Sequence, residues 1–208
     1  MIQKIYILHY LIQIPCPKVE EGMRVCYVYL FLWNGILLKN AKNNSAWVCI
    51  LVSQVGIPDI KLIVYDFDGV MTNNKVYVEQ HGNEMVQVNR ADGLGVMEIK
   101  KLGIEQIIIS TENNPVVSTR AVKLGVQCFK GIDNKKSTLI DYCKNNDYDL
   151  KNVAYVGNDI NDKDVMEIIG FGFCPSDAHE SIKEISDHTL RTKGGDGVIR
   201  ELFDILIK

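Results

Sequence analysis

KLIVYDFDGVMT (61–72) is the stretch that decides the fold. After Lys61 come four residues, Leu62 to Tyr65, with no polar alternation. That is the pattern of a strand covered on both faces, as in a parallel sheet. The run then ends in Asp66 and Asp68, two positions apart. Burying charge is costly unless the carboxylate is paired, metal-bound or used chemically. The stretch therefore reads as a central strand whose end carries a site.

Outward from it, strand-like and helix-like segments alternate. KVYVEQHGNEMVQVN (75–89) alternates apolar and polar residues on both sides of His81-Gly82-Asn83, the mark of a β-hairpin. Helical spacing runs through 92–103 and stops at Gly103, and 114–125 opens on Asn114-Pro115 and closes on Gly125. Further helices are expected over 134–146, 161–170, 177–185 and 195–208, and strands over 105–110, 126–131, 153–158, 171–174 and 187–191. Alternating strands and helices imply βαβ units. The expected fold is α/β: a doubly wound, mainly parallel, Rossmann-like sheet with a β-hairpin inserted after its first strand. Ligands of such sheets sit beyond the carboxyl ends of the strands. Asp66, Asp68, Ser110, Lys135, Asn158 and Asp159 all fall at or just past such ends, so they are expected to converge.

Charge divides the chain near Pro58. Residues 1–58 hold five basic and two acidic side chains, and the remainder holds eighteen basic and 24 acidic ones. We therefore separate 1–58, an apolar segment of unknown role, from a domain over 59–208. An acidic domain is a poor nucleic-acid binder, because affinity for phosphate backbones comes from Lys and Arg. The most apolar stretch, 25–38, is interrupted by Asn34 and is shorter than the ~20 residues of a membrane span, so no membrane partner is expected. The segment has room for extra strands, for a remnant of an upstream domain, or for residues foreign to the native product. Six scattered cysteines without a Cys-x-x-Cys pair fit reduced thiols in a cytoplasmic protein.

DFDGV (66–70), a strand ending in Ser110, a following lysine, and GNDIND (157–162) together resemble the four motifs of the haloacid dehalogenase superfamily, over residues 61–207. An Asp pair with Ser or Thr and Lys also occurs in receiver domains, but there the acidic pair is adjacent. The resemblance implies a magnesium-dependent phosphatase with Asp66 as nucleophile and Asp68 as general acid–base. By the same resemblance a hydroxyl would hydrogen-bond the phosphoryl group, where the strand end favours Ser110 over Thr111, and a lysine would be the cation, where the spacing after FKGIDN favours Lys135 over Lys136. Gly69 would let the backbone approach the phosphate. Asp66, Asp68, Asn158 and Asp159 would hold Mg²⁺. Asn158 departs from the aspartate common in the family at that position, and an amide oxygen brings no charge to the ion. Asp162 reads as an N-cap of the next helix or as a holder of the ligands.

From Asp68 to Ser110 there are 42 positions, and from Ser110 to Lys135 there are 25, too few for a cap domain in either gap. The hairpin and KGGDGVIRE (193–201) resemble the capless branch of ketodeoxyoctonate 8-phosphate and nonulosonate 9-phosphate phosphatases, and the C-terminal domain of sialic-acid cytidylyltransferases. That branch implies a homotetramer, a sugar-phosphate substrate and a place in lipopolysaccharide or sialic-acid biosynthesis. Glu112 would then accept sugar hydroxyls, while Arg120 and Lys123, one turn apart, either hold the sugar carboxylate or form a solvated helix face. The alternative is a catalytically weak tetramerisation domain.

Overall fold

The computed structural model describes residues 59–208. The apolar segment 1–58, with Cys16, Cys26 and Cys49, lies outside the described residues.

Strand β1 (Leu62–Tyr65) is completely buried along its length. It is followed by β2 (Thr72–Val78) and β3 (Glu84–Val88), which pair antiparallel with each other as a separate two-stranded sheet. Then come α1 (Arg90–Lys101), β4 (Glu105–Ile109), α2 (Pro115–Leu124), β5 (Gln127–Phe129) and α3 (Lys135–Asn145). The rest comprises β6 (Val153–Val156), α4 (Lys163–Met166), β7 (Phe171–Cys174), α5 (Glu180–Lys183), β8 (His188–Thr189) and α6 (Val198–Leu206), with 3₁₀ turns at Leu150–Asn152 and Ile160–Asp162. The main sheet has the order β5-β4-β1-β6-β7-β8 and is parallel throughout. From β1 the chain winds outward through β4 and β5, then returns to build β6, β7 and β8 on the other side. The switch in direction lies beside β1, where such sheets open a ligand crevice.

Two apolar layers sandwich the sheet because successive strand side chains point to opposite faces. Ile63, Tyr65, Ile108, Ala154 and Val156 pack with Val96 and Ile99 of α1, Val117 and Ala121 of α2, and Val198, Ile199, Leu202 and Leu206 of α6. Leu62, Val64, Ile107, Ile109, Val153 and Tyr155 pack with Leu139, Cys143, Val165, Met166 and Ile182 on the other face. Each fully buried Leu, Ile or Val contributes about 1.5–3 kcal/mol of transfer free energy. Tyr65 and Gln106 are polar exceptions that satisfy each other. The Tyr65 hydroxyl donates to Gln106 Oε1 at 2.9 Å, and Gln106 Nε2 donates to the Val96 carbonyl at 3.0 Å.

The doubly wound sheet and the hairpin after the first strand are as the sequence implies, and among the described residues no cap domain interrupts the chain between Asp68 and Lys135. Helices expected at 161–170 and 177–185 contract to four residues each, and the strand expected at 187–191 to two. Such short segments carry too few periodic positions to set their own length. Among the described residues, no helix is long and apolar enough to cross a membrane.

Helices α1 and α6 meet closely at Gly95, where a Cβ would fall 2.6 Å from the Ile199 carbonyl oxygen. Gly95→Ala is therefore expected to destabilise the domain by about 1–3 kcal/mol through overpacking, despite the ~1 kcal/mol that alanine adds to helix propensity. Urea unfolding followed by circular dichroism would read this as a lower midpoint.

Candidate active site

The last ladder hydrogen bonds of the sheet place the polar residues. Asp66 N donates to the Val156 carbonyl at 2.9 Å, Ser110 N to Phe129 at 2.8 Å, and Gly157 N to Phe173 at 3.1 Å. Residues just past β1, β4 and β6 are thus pinned side by side at one edge. Asp66, Asp68, Asn74, Ser110, Thr111, Asn158, Asp159 and Asn161 line one cavity of about 350 Å³ there.

After Asp66 the chain turns sharply, with the Phe67 carbonyl accepting from Met71 N at 2.9 Å and Thr72 N at 3.2 Å. Gly69 takes φ +79°, and a Cβ there would fall 2.0 Å from the Asn158 amide, so this position is closed to any side chain. Thr72 Oγ1 donates to Asp68 Oδ1 at 3.1 Å and accepts from Gly69 N and Asn74 N, each at 3.2 Å.

Lys135 opens α3 behind the cavity, buried with its Nζ 2.8 Å from Asp66 Oδ1 and 2.7 Å from Asp162 Oδ1. Burial alone would lower its pKa, but the two carboxylates outweigh burial and hold the ammonium above its ordinary range. The Asp66 carboxyl is pushed upward by burial and then by Asp162, against the pull of Lys135 and of Phe67 N, which donates to Asp66 Oδ1 at 2.7 Å. Asp68 is raised by burial, with Glu112 and Glu84 adding to the effect against the Thr72 hydroxyl and Lys135. A raised carboxyl in a polar cavity suits a group that must hold a proton and later take one back.

Asp162 is fully buried and accepts from Lys135 Nζ at 2.7 Å, Tyr155 OH at 2.8 Å and Asn158 N at 2.9 Å. It makes no side-chain cap to α4, but its Oδ2 also accepts from Asp159 N at 3.4 Å in the capping box of the 3₁₀ turn. Gly157 makes room for it, since a Cβ there would fall 2.7 Å from Asp162 Cβ.

With its amide oriented to suit its neighbours, Asn158 donates from Nδ2 to Asp66 Oδ2 at 3.3 Å and to the Asp68 carbonyl at 2.8 Å. Half a turn of that amide brings Oδ1 to the same point. One carboxylate oxygen, one main-chain carbonyl and one amide oxygen then converge, and an all-oxygen set of this kind fits a hard divalent cation. Asp68 would enter it through its main chain, leaving its carboxyl free. Among the described residues, no three His, Cys, Asp or Glu side chains gather into a metal site. Two of the three convergent oxygens are neutral, which explains that result. Asp159 lies on the exposed rim, where Oδ1 accepts from Ile160 N at 2.7 Å and closes the 3₁₀ turn.

The expected substrate residues separate. Glu112 stands near enough to raise Asp68, with Oε1 accepting from Asn114 N at 2.7 Å. Lys123 is exposed near the end of α2. Arg120 corrects the expectation of a carboxylate clamp or solvated face. It is 9% exposed on the buried stripe of α2 with Val117 and Ala121, where Nη2 donates to the Asn89 carbonyl at 2.7 Å and the guanidinium charge works against the rise that burial imposes on the Asp92 carboxyl. Neither Arg120 nor Lys123 lines the cavity. Asp92 in turn receives Ile199 N at 2.9 Å, capping α6 where Gly197 has no side chain to do so.

Sequence reasoning missed Thr72, Asn74 and Asn161. The hydroxyl of Thr72, four residues after Asp68 in a glycine turn, was a legible signal. The two asparagines carried none.

A parallel sheet with two aspartates past its central strand, a serine past the next and a buried lysine paired with the first aspartate defines a phosphatase of the haloacid dehalogenase type, and the chain belongs to that family. The family model for haloacid dehalogenase-like hydrolases matches residues 104–202. The chain is 33% identical over 150 residues to the 3-deoxy-D-manno-octulosonate 8-phosphate phosphatase KdsC of Escherichia coli K12, covering 72% of this chain and 80% of that protein. Among solved structures, a HAD family hydrolase from Streptomyces avermitilis superposes with a TM-score of 0.70 at 38% identity, over 72% of this chain and 91% of that one. The Moraxella catarrhalis octulosonate 8-phosphate phosphatase, solved with magnesium, phosphate and KDO, superposes with a TM-score of 0.70 at 29% identity, over 73% and 87%.

Proposed function

We propose that residues 59–208 hydrolyse the phosphomonoester of an eight- or nine-carbon keto-sugar acid in a magnesium-dependent reaction through an aspartyl phosphate. The convergence of Asp66 Oδ2, the Asp68 carbonyl and the Asn158 amide beside the raised Asp68 carboxyl carries this reading. The similarity to octulosonate 8-phosphate phosphatases supports the substrate class.

Asp66, Asp68 and Asn158 would hold Mg²⁺ through oxygen, with the Asp159 carboxylate on the same cavity adding negative charge. When bound, the ion neutralises charge on the phosphoryl oxygens. An Asp66 carboxylate oxygen forms a bond to phosphorus as the bond from phosphorus to the sugar oxygen breaks, and the Asp68 carboxyl gives that oxygen its proton. Water then attacks phosphorus and passes a proton to the Asp68 carboxylate. The bond to Asp66 breaks, and inorganic phosphate leaves. Lys135 holds Asp66 Oδ1 in place, which leaves Oδ2 on the cavity side. Ser110, 1% exposed and accepting from Glu112 N at 3.1 Å, donates its hydroxyl proton to none of the described residues and would give it to a phosphoryl oxygen. Gly69 keeps the approach open, and Glu112, close enough to act on Asp68, is assigned to the sugar's hydroxyls.

Phosphate release with Mg²⁺ from ketodeoxyoctonate 8-phosphate and from N-acetylneuraminate 9-phosphate, measured side by side, tests this function. Turnover of either supports it and names the sugar. A folded protein inert on both removes it.

Asn158→Asp is expected to tighten Mg²⁺ binding about tenfold, because affinity follows the charge count of the ligands. Isothermal titration of Mg²⁺ into both proteins would read it. An unchanged affinity would take Asn158 out of the ligand set.

A second reading, an assembly domain that tetramerises through the hairpin with little catalysis, is favoured by the exposure of Val76, Tyr77, Val78 and Met85. Both readings predict a tetramer by light scattering, and only turnover separates them.

A further inference from the structure

We propose that Asn74 is a specificity-determining residue that reads a hydroxyl on the leaving-group side of the phosphate, with Asn161 lining the same cavity. The inference rests on the phosphatase reading above. Asn74 has φ +61°, one of two non-glycine residues in the left-handed region among the described residues, at the irregularity that shifts the β2–β3 register between Thr72 and Val76. Glycine adopts that conformation without steric cost, so the side chain at this position calls for another use. Asparagine often tolerates such a φ through a local side-chain hydrogen bond, yet the Asn74 amide makes none with the described residues. Its main-chain N–H is what ties it down, donating to Thr72 Oγ1 at 3.2 Å. Asn73, Asn89, Asn114 and Asn134, by contrast, all spend their side-chain oxygens on main-chain N–H groups.

The free amide of Asn74 lines the same cavity as Asp66, Asp68 and Ser110. Thr72 Oγ1 bonds both Asp68 Oδ1 and Asn74 N, so Asn74 is anchored to the group that protonates the leaving oxygen. The carbon bearing that oxygen must come close to Asp68, and its neighbouring hydroxyls then face Asn74. Asn161, in the 3₁₀ turn Ile160–Asp162, lines the cavity too, and its amide likewise makes no hydrogen bond with the described residues. A neutral amide both donates to and accepts from a hydroxyl, and it does not repel a phosphate as the carboxylates of Asp159 and Glu112 do. The ligand chemistry is therefore a polyhydroxylated phosphomonoester rather than an aryl or alkyl one.

The test compares wild type, Asn74→Gly and Asn74→Asp on ketodeoxyoctonate 8-phosphate, N-acetylneuraminate 9-phosphate, glucose 6-phosphate and p-nitrophenyl phosphate. Glycine suits the backbone, so the thermal midpoint of Asn74→Gly should not fall. Its ratio of kcat/KM for the best sugar phosphate over p-nitrophenyl phosphate should fall about tenfold, mostly through KM. Asn74→Asp should lose at least as much. A ratio unchanged in Asn74→Gly overturns the proposal, as does a wild type that does not prefer sugar phosphates to the aryl ester. A wild type that prefers glucose 6-phosphate to both keto-sugar acids would refute the proposed substrate, while the ratio would still decide on Asn74. No turnover of any sugar phosphate overturns both.

Discussion

Asp66→Asn is expected to lower phosphate release by about three orders of magnitude or more on every substrate, the scale seen when a covalent nucleophile is removed. The amide is nearly isosteric, but it cannot attack phosphorus at neutral pH. The fold should survive the change. Asp66 is buried beside the Asp162 carboxylate, and both of these push its pKa up, so the wild-type carboxylate is held at a cost. Lys135 keeps Asp162 at 2.7 Å as its counter-ion when Asp66 is neutral. A thermal midpoint equal to or above that of wild type, together with lost turnover, would place Asp66 in the chemistry. Retained turnover would remove it from the nucleophile's role, and a collapsed midpoint would make it structural.

Lys135→Met is expected to cost both stability and activity. The side chains of Lys135, Asp66 and Asp162 are 1%, 6% and 0% exposed, so removal of the one cation leaves two carboxylates buried together. Breaking a buried ion pair from one side costs about 3–5 kcal/mol. The loss should show in urea unfolding at neutral pH and shrink at acid pH, where the carboxylates take up protons. Activity at saturating Mg²⁺ should fall even where the protein remains folded, because Asp66 Oδ1 loses the contact that orients it. The double variant Lys135→Met with Asp162→Asn should recover stability without recovering turnover. Recovery of both would show that Lys135 serves the fold alone.

These two residues also mark how far the sequence could be read. Asp66 was legible because a charge at the end of a four-residue apolar run is a local contradiction, visible within KLIVYDFD. Ser110 and Asn158 were legible as polar residues that each follow an apolar strand. Lys135 stood out from Lys136 only through its spacing after the preceding strand, and burial at the start of α3 is what separates them. Arg120 was open to misreading: its position on α2 suits both a solvated charge and an inward clamp, and the choice depends on Asn89 and Asp92, about thirty residues away. Asn74 carries no local signal in the sequence, and its interest lies in a left-handed φ and an amide at the cavity that makes no hydrogen bond with the described residues.

By itself the sequence determined the doubly wound sheet, the hairpin after its first strand and the residue types gathered at its carboxyl edge. Apolar periodicity, glycine stops and strand-end charges are short-range patterns that the local chain carries whole. Only the tertiary structure decided which polar groups satisfy one another: Asp162 holding Lys135 across 27 positions, Arg120 on Asn89 across 31, and Asp92 capping α6 across 107. A buried polar group takes its partner from whatever the packed elements bring within 3 Å, and no local pattern encodes that approach.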